Sequence, residues 1–302
     1  MKPTPEIHPD LRKVARFLPR GAGPRGIAVA RTLTPLLTRR TPAGVQVERL
    51  GAISVRVHRP AEPQPHGGAL LWIHGGGYVL GSASQDDPLC ARLAGKLGVT
   101  VAAVDYRLAP KYPYPTPLLD CYSALGWLAE QPGVDATRIA IAGASAGGGL
   151  AAGLAQLARD RDGVKPAFQL LIYPMLDDRT ALRTDIDQRA FRLWNNRANA
   201  LGWRSYTGRE PGAKPADGPS VPGRNEDLTG LAPAWIGVGT QDLFHDEDLA
   251  YAERLRSAGV ECEVEIVTGA FHGFDAVAPK APVAIAFRGS VLDAVRRGLH
   301  LA

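Results

Sequence analysis

"IAIAGASAGGGLAAGLAQLA", residues 139–158, passes from an apolar run through a glycine-rich turn into an Ala/Leu-rich run without interruption. Gly143-Ala144-Ser145-Ala146-Gly147 at its centre has the spacing G-x-S-x-G, and its surroundings say as much as its letters: a strand leads in and a helix leads out. A serine on so sharp a turn adopts a strained backbone. Residues two before and two after it approach so closely that side chains there would collide, which accounts for Gly143 and Gly147. The turn lifts the Ser145 hydroxyl clear of a sheet edge and sets the Ala146 N–H at a helix N-terminus, where partial positive charge favours a developing oxyanion. A serine that merely caps a helix would fit the same five letters. The rest of the chain must decide.

Outward from this turn, short Val/Ile-rich runs alternate with helical patterns. Upstream, "VQVERLGAISVRVHRP" (45–60) alternates apolar and polar at period two, the mark of a half-buried antiparallel pair. "ALLWIHG" (69–75), a helix near 84–97, "VTVAAVDYR" (99–107) and a helix near 116–131 follow. Downstream of a helix near 146–160 come "FQLLIYPML" (168–176), "AWIGVGT" (234–240), a helix near 246–258, "CEVEIVTG" (262–269) and a helix near 282–298. The alternation predicts an α/β fold with a mostly parallel eight-stranded sheet, helices on both faces and an antiparallel edge. Two segments interrupt it. Residues 1–44 hold helical patches at 8–20 and 27–40, and residues 178–228 join "RAFRLWNNRANALGWRSYTG" (189–208) to a Pro/Gly-rich linker. An insertion this long is either functional or disordered, and Phe191, Trp194, Trp203 and Tyr206 favour an ordered lid. The expected division is therefore a sheet body of 45–177 with 229–302, a leading segment 1–44 and an insertion 178–228.

With 302 residues, 45% hydrophobic and 22% charged, the chain falls in the ordinary globular range. The net charge of +5 comes from scattered basic residues interrupted by acids, without a basic stripe or interleaved aromatics, so no nucleic-acid partner is expected. Cys90, Cys121 and Cys262 stand far apart and form no C-x-x-C pair, which points to a reducing compartment. Residues 1–20 lack the unbroken apolar centre of a secretory signal, and the longest apolar candidate, "GIAVARTLTPLL" (26–37), falls short of the roughly 18 residues of a membrane span. A soluble, cytoplasmic protein is the expectation. "GAGPRG" (21–26) satisfies G-x-G-x-x-G, but no strand precedes it, Pro24 would sit inside the phosphate turn, and no acid follows at the required interval.

The chemistry gathers at strand ends. "LLWIHGGGYVLGS" (70–82) places three glycines directly after His74, where backbone N–H groups can approach a reacting oxygen. Gly76 and Gly77 are the expected donors, with Gly75 shaping the loop and His74 orienting it. Such a donor contributes about 2.7–4 kcal/mol to transition-state stabilisation. A serine needs a base, and the base needs a partner that fixes its tautomer. His272, in "EVEIVTGAFHGFDAV" (263–277), follows a strand and is flanked by glycines; His8 and His300 lie near the termini, His58 in the antiparallel edge and His66 in a Pro/Gly turn. Among the acids, Asp242 lies just beyond a strand, whereas Asp246, Glu247 and Asp248 open the next helix as first-turn dipole partners. His245 shares the loop of Asp242, which leaves it little room to stand between that acid and Ser145. The order Ser145, Asp242, His272 is that of an α/β-hydrolase.

Over roughly residues 45–300, "HGGGY" (74–78), "DYRLAPKYPYP" (105–115), "GASAGG" (143–148), "LIYPMLDDR" (171–179), "DLFHDEDLAYAERLRSAG" (242–259) and "GAFHGF" (269–274) occur in one order. In this the chain resembles the bacterial hormone-sensitive-lipase-like esterases. The resemblance implies an α/β-hydrolase fold and a serine carboxylesterase acting on small-molecule esters, with Ser145 as nucleophile, His272 as base and Asp242 as acid. It also implies an oxyanion hole of the Gly76, Gly77 and Ala146 N–H groups, a cap formed from 1–44 and 178–228, a tendency to form homodimers, and neither metal nor cofactor. Ala144 departs from the usual Asp or Thr before the nucleophile, Lys111 from the usual Glu, and Leu243 from the usual Pro after the acid. Asp105, Arg107 and Asp120 read as structural. Phe191, Trp194 and Trp203, with Leu193, Leu201, Phe17 and Leu18, either line an acyl pocket or pack the cap; a compact site favours short to medium acyl chains. Two rivals stay open: a ligand-binding protein on the same fold, and hydrolysis of amides, lactones or thioesters by the same route.

Overall fold

The period-two stretch after residue 44 forms the hairpin β1 (Val45–Leu50) and β2 (Ile53–His58) in the computed structural model, which describes residues 6–21, 23, 26, 27, 31, 41–62 and 64–301. The chain continues through β3 (Ala69–Ile73), α1 (Asp87–Leu97), β4 (Thr100–Asp105), α2 (Thr116–Ala129), β5 (Ile139–Ala144), α3 (Ala146–Asp160) and β6 (Phe168–Ile172). After the long insertion, which holds α4 (Asn196–Thr207), come β7 (Ala234–Gln241), α5 (His245–Ser257), β8 (Cys262–Phe271) and α6 (Pro282–Gly298). The strands form one eight-stranded sheet in the order β1-β2-β4-β3-β5-β6-β7-β8. β2 runs antiparallel to both of its neighbours, and every pair from β4 to β8 is parallel.

The apolar strands are covered on both faces, and side chains alternate across the sheet. Leu71, Ile73, Ile141 and Leu171 pack on one face with Leu150 and Leu154 of α3; Leu70, Trp72 and Leu170 pack on the other with Leu93 of α1 and Phe287 of α6. The strands' carboxyl ends thus share one edge, and there the turns after β3, β5, β7 and β8 meet.

The insertion docks on this edge. α4 begins at Asn195, whose Oδ1 accepts the Ala198 N–H (3.0 Å), and ends at Gly208 in the left-handed conformation (φ +68°). The Pro/Gly-rich linker is tied down: Asp178 accepts from Gly212 N–H (2.7 Å) and from Arg224 Nη1 (3.0 Å), and Gly223 N–H donates to the Leu176 carbonyl (2.9 Å). Near the N-terminus a turn at Pro9–Leu11 leads into Arg12–Ala15, and His8 N–H donates to the Gly269 carbonyl (2.9 Å) on β8. Of the expected patch 27–40, residues 28–30 and 32–40 lie outside the described residues, as do 22, 24 and 25 of "GAGPRG". Cys90, Cys121 and Cys262 are free and buried. No helix among the described residues is long and apolar enough to cross a membrane.

Candidate active site

Ser145 stands between β5 and α3 at φ +57° and ψ −124°, a conformation L-residues rarely adopt. Three backbone hydrogen bonds hold it there. Its N–H donates to the Ile172 carbonyl (2.9 Å), and its carbonyl accepts from Gly149 N–H (3.0 Å) and Met175 N–H (3.0 Å). A Cβ on Gly143 would lie 2.3 Å from the Gly147 oxygen, while one on Gly147 would lie 2.0 Å from the Ile73 oxygen. The two glycines are therefore required by different neighbours. Gly143 is required by the close approach of Gly147's own carbonyl, as the sequence leads one to expect, and Gly147 by the carbonyl at the end of β3.

The glycine run after β3 lies against the same turn. A Cβ on Gly75 would come within 2.9 Å of the Ala144 oxygen. Gly76 (φ +128°) folds back so tightly that a Cβ would strike the Leu80 oxygen at 1.9 Å, and Gly77 (φ +60°) lies under the Trp194 ring, 2.1 Å from a built Cβ. No acceptor among the described residues takes the N–H of Gly76 or Gly77. His74 is buried and stacked on Tyr106 (centroids 4.2 Å, 12° apart), and burial lowers its pKa. Its Nδ1 lies 2.8 Å from the Gly75 carbonyl, an acceptor only, so Nδ1 carries the proton.

His272 directly follows β8 and precedes Gly273, which turns the chain at φ +72°. Its Nδ1 lies 2.8 Å from Asp242 Oδ2, and its Nε2 lies 2.9 Å from Ser145 Oγ. A carboxylate only accepts, so Nδ1–H donates to Asp242 and Nε2 is left to accept the Ser145 hydroxyl proton. Asp242 Oδ1 accepts the Phe244 N–H (3.0 Å), which fixes the carboxylate. The Tyr173 and Phe244 rings meet the imidazole at 4.7 and 5.2 Å. Ser145, Asp242 and His272 are 6%, 3% and 8% exposed, so little water competes for their hydrogen bonds.

His245 turns away, its Nδ1 2.9 Å from Asp246 Oδ1, and Arg183 pairs with the same exposed carboxylate at 2.6 Å. All three acids expected as dipole partners lie in the first turn of α5, but only Asp246 is exposed. Glu247 and Asp248 are buried because α5 enters beneath the loop after β6. Glu247 Oε1 accepts from Leu176 N–H (2.7 Å) and Asp177 N–H (3.1 Å), and burial pushes its pKa up to about 8. Asp248 is fully buried, and among the described residues neither of its oxygens has a partner; burial raises its pKa well above the usual carboxylate range. One signal was legible: Asp248, Tyr251, Ala252 and Leu255 share the i, i+3, i+4, i+7 face of their helix. Asp105 accepts the Ala83 N–H (3.0 Å), and Arg107 grips Asp120 through Nη2 (2.7 Å).

The aromatic residues divide. Phe191 lines a cavity of about 410 Å³ beside Asp242, together with Ile186, Leu243 and His245. Trp194 covers Gly77, and Leu193 Cδ1 lies 3.2 Å from a Cβ built on Gly273. Trp203 is fully buried against Tyr78 (5.3 Å), and Leu201 and Leu18 are half-buried in packing clusters. Phe17 does neither job expected of it, being 83% exposed: the turn Arg12–Ala15 points Leu11 and Ala15 inward and leaves Phe17 outside. Among the described residues, no three His, Cys, Asp or Glu side chains are grouped to hold a metal ion.

The family described by the alpha/beta hydrolase fold matches residues 70–276. The chain is 37% identical over 255 residues to esterase LipI of Mycobacterium tuberculosis, covering 83% of this chain and 79% of that protein. It is 39% identical over 228 residues to ethyl acetate hydrolase of Pseudomonas putida, covering 74% and 71%. Among solved structures, a bacterial heroin esterase superposes with a TM-score of 0.87 at 36% identity, over 97% of this chain and 98% of that one. Esterase LipW from Mycobacterium marinum gives 0.85 at 36% identity, over 98% and 96%.

Proposed function

The chain belongs to the α/β-hydrolase family, among its hormone-sensitive-lipase-like esterases, and from that premise we propose that this carboxylic ester hydrolase works as a serine esterase through Ser145, His272 and Asp242. The observation that carries the reading is the single imidazole held between acid and hydroxyl, at 2.8 Å on one nitrogen and 2.9 Å on the other. In the first step Ser145 Oγ attacks the ester carbonyl while His272 Nε2 takes its proton; Asp242 stabilises the imidazolium without itself accepting the proton. The oxyanion falls to the N–H groups of Gly76, Gly77 and Ala146, and the first two are left without an acceptor among the described residues. His272 then protonates the leaving alcohol, and water repeats the sequence on the acyl-enzyme to release the acid.

Residues 1–44 and 178–228 act together as a cap over the body formed by 45–177 and 229–302. Two contacts support this: Arg192 Nε donates to the Ala15 carbonyl (2.7 Å) and Leu193 N–H to the Pro19 carbonyl (2.9 Å). Trp194, over Gly77, bounds the acyl side, which suits short to medium chains, while Trp203 serves as packing and Phe191 faces the separate cavity beside Asp242. The three free cysteines accord with a reducing, cytoplasmic setting.

A fluorophosphonate probe tests the assignment, because it reacts with a serine activated by a base. Mass analysis should find the adduct on the peptide containing Ser145, with loss of p-nitrophenyl ester turnover in proportion to labelling. An adduct on another serine, or turnover that survives full labelling, overturns it.

A further inference from the structure

We infer that Glu247 is a positioning residue for the hydrolysis: one of its carboxyl oxygens anchors the chain segment on which both the Ser145 turn and the glycine loop hang. This rests on Ser145 being the nucleophile. The segment is 175–177, just after β6, and its peptide groups are all assigned. Met175 N–H donates to the Ser145 carbonyl (3.0 Å), and the Met175 carbonyl accepts the Tyr78 hydroxyl (3.1 Å). Tyr78 directly follows Gly77, at φ +66°, and stacks on Tyr206 of α4 at 4.1 Å. The next two N–H groups, of Leu176 and Asp177, converge on Glu247 Oε1, and the Leu176 carbonyl accepts from Gly223. A single residue, Met175, thus joins nucleophile to oxyanion loop through its N–H and carbonyl, and Glu247 holds the next two N–H groups to α5, five residues after Asp242.

A buried carboxyl in this place is doing something other than answering a helix dipole. Leu176 is fully buried, so its N–H has no water to turn to if Glu247 is removed. The segment must then shift towards another acceptor and carry the Ser145 carbonyl with it. The acceptor oxygen is what the geometry uses, not the charge: with a pKa raised to about 8 by burial, the side chain is neutral at pH 7 and Oε1 still accepts both bonds. Glutamine supplies the same oxygen at the same reach. Aspartate carries a carboxyl but falls short by one methylene.

Glu247→Gln, Glu247→Asp and Glu247→Ala in the full chain, assayed with p-nitrophenyl butyrate and with active sites counted by fluorophosphonate titration, test this. Displacements of about an ångström cost on the order of 10²-fold. Glu247→Ala and Glu247→Asp should therefore lose about 10- to 100-fold in kcat per titrated site with little change in KM, while Glu247→Gln stays near the parent. The inference fails if Glu247→Asp keeps the parent kcat per site and only melts earlier, or if Glu247→Gln falls with the others. If Glu247→Ala does not fold, Glu247→Asp against Glu247→Gln still decides. Turnover surviving in Ser145→Ala sinks the catalytic reading itself; an inactive Ser145→Ala beside an unimpaired Glu247→Asp sinks only this inference.

Discussion

The turn around Ser145 and the helix α4 are linked through Tyr78, yet they are built by opposite means. At the turn the backbone leaves no choice: Gly143, Gly147, Gly75 and Gly76 each face another main-chain oxygen at 1.9–2.9 Å from any added Cβ. In and around α4 the side chains do the work, with Trp203 and Tyr206 packed on Tyr78 and Trp194 filling the space above Gly77. Main-chain crowding admits one residue type and is visible in a sequence as glycine. Side-chain packing admits many solutions, and its purpose stays hidden until the partner is seen.

That contrast can be broken at several points. His272→Ala should reduce kcat on the order of 10⁴-fold while the melting curve stays cooperative, since the base acts on the transition state and not on packing. Trp203→Ala should do the reverse, losing about 3–5 kcal/mol of stability in a denaturant titration with kcat per titrated site largely kept. If its kcat collapses as well, α4 belongs to the reacting centre as firmly as the turn does. Gly77→Ala lies on the border, strained by φ +60° and obstructed by Trp194, and should cost about 10²-fold in kcat. Adding Trp194→Ala should restore part of that loss, because a side chain can give way where a backbone cannot; no recovery would mean that the backbone alone sets the loop.

The smallest effect concerns pH. Glu247 has a pKa of about 8 in the folded protein against 4.5 ordinarily. The folded state therefore holds a proton that the unfolded chain releases across that window, and stability falls as pH rises from about 4.5 to about 8. Glu247→Gln removes this fall, so its melting temperature should gain on the parent by more at pH 8.5 than at pH 5. Equal differences at the two pH values would show that burial of Glu247 is relieved in the folded state.

The eight strands, their alternation with helices and the antiparallel edge were legible because periods of two and long apolar runs follow directly from how a sheet buries its faces. Ser145, Asp242 and His272 were legible as residue types at strand ends, and the structure brings their side chains together. Glu247 was read as one of three first-turn dipole partners, which left its burial and its contacts with the loop after β6 unseen. The face shared by Asp248, Tyr251, Ala252 and Leu255 marks the covered side of α5, but that Glu247 meets the main chain there depends on the loop after β6, 70 residues earlier. The division among Phe17, Phe191, Trp194 and Trp203 was equally closed to the sequence, since four aromatics in polar surroundings give the same signal whether they face solvent, cavity, loop or core.

From the sequence alone came the architecture, the strand-end turns and the chemical types able to react there, because each rests on interactions between near neighbours or on steric limits that only glycine meets. The tertiary structure alone decided which acids are buried, which aromatic covers the glycine loop and which residue ties the serine turn to Tyr78. These depend on contacts between segments tens of residues apart, whose distances are set only once the sheet, its helices and the insertion have packed.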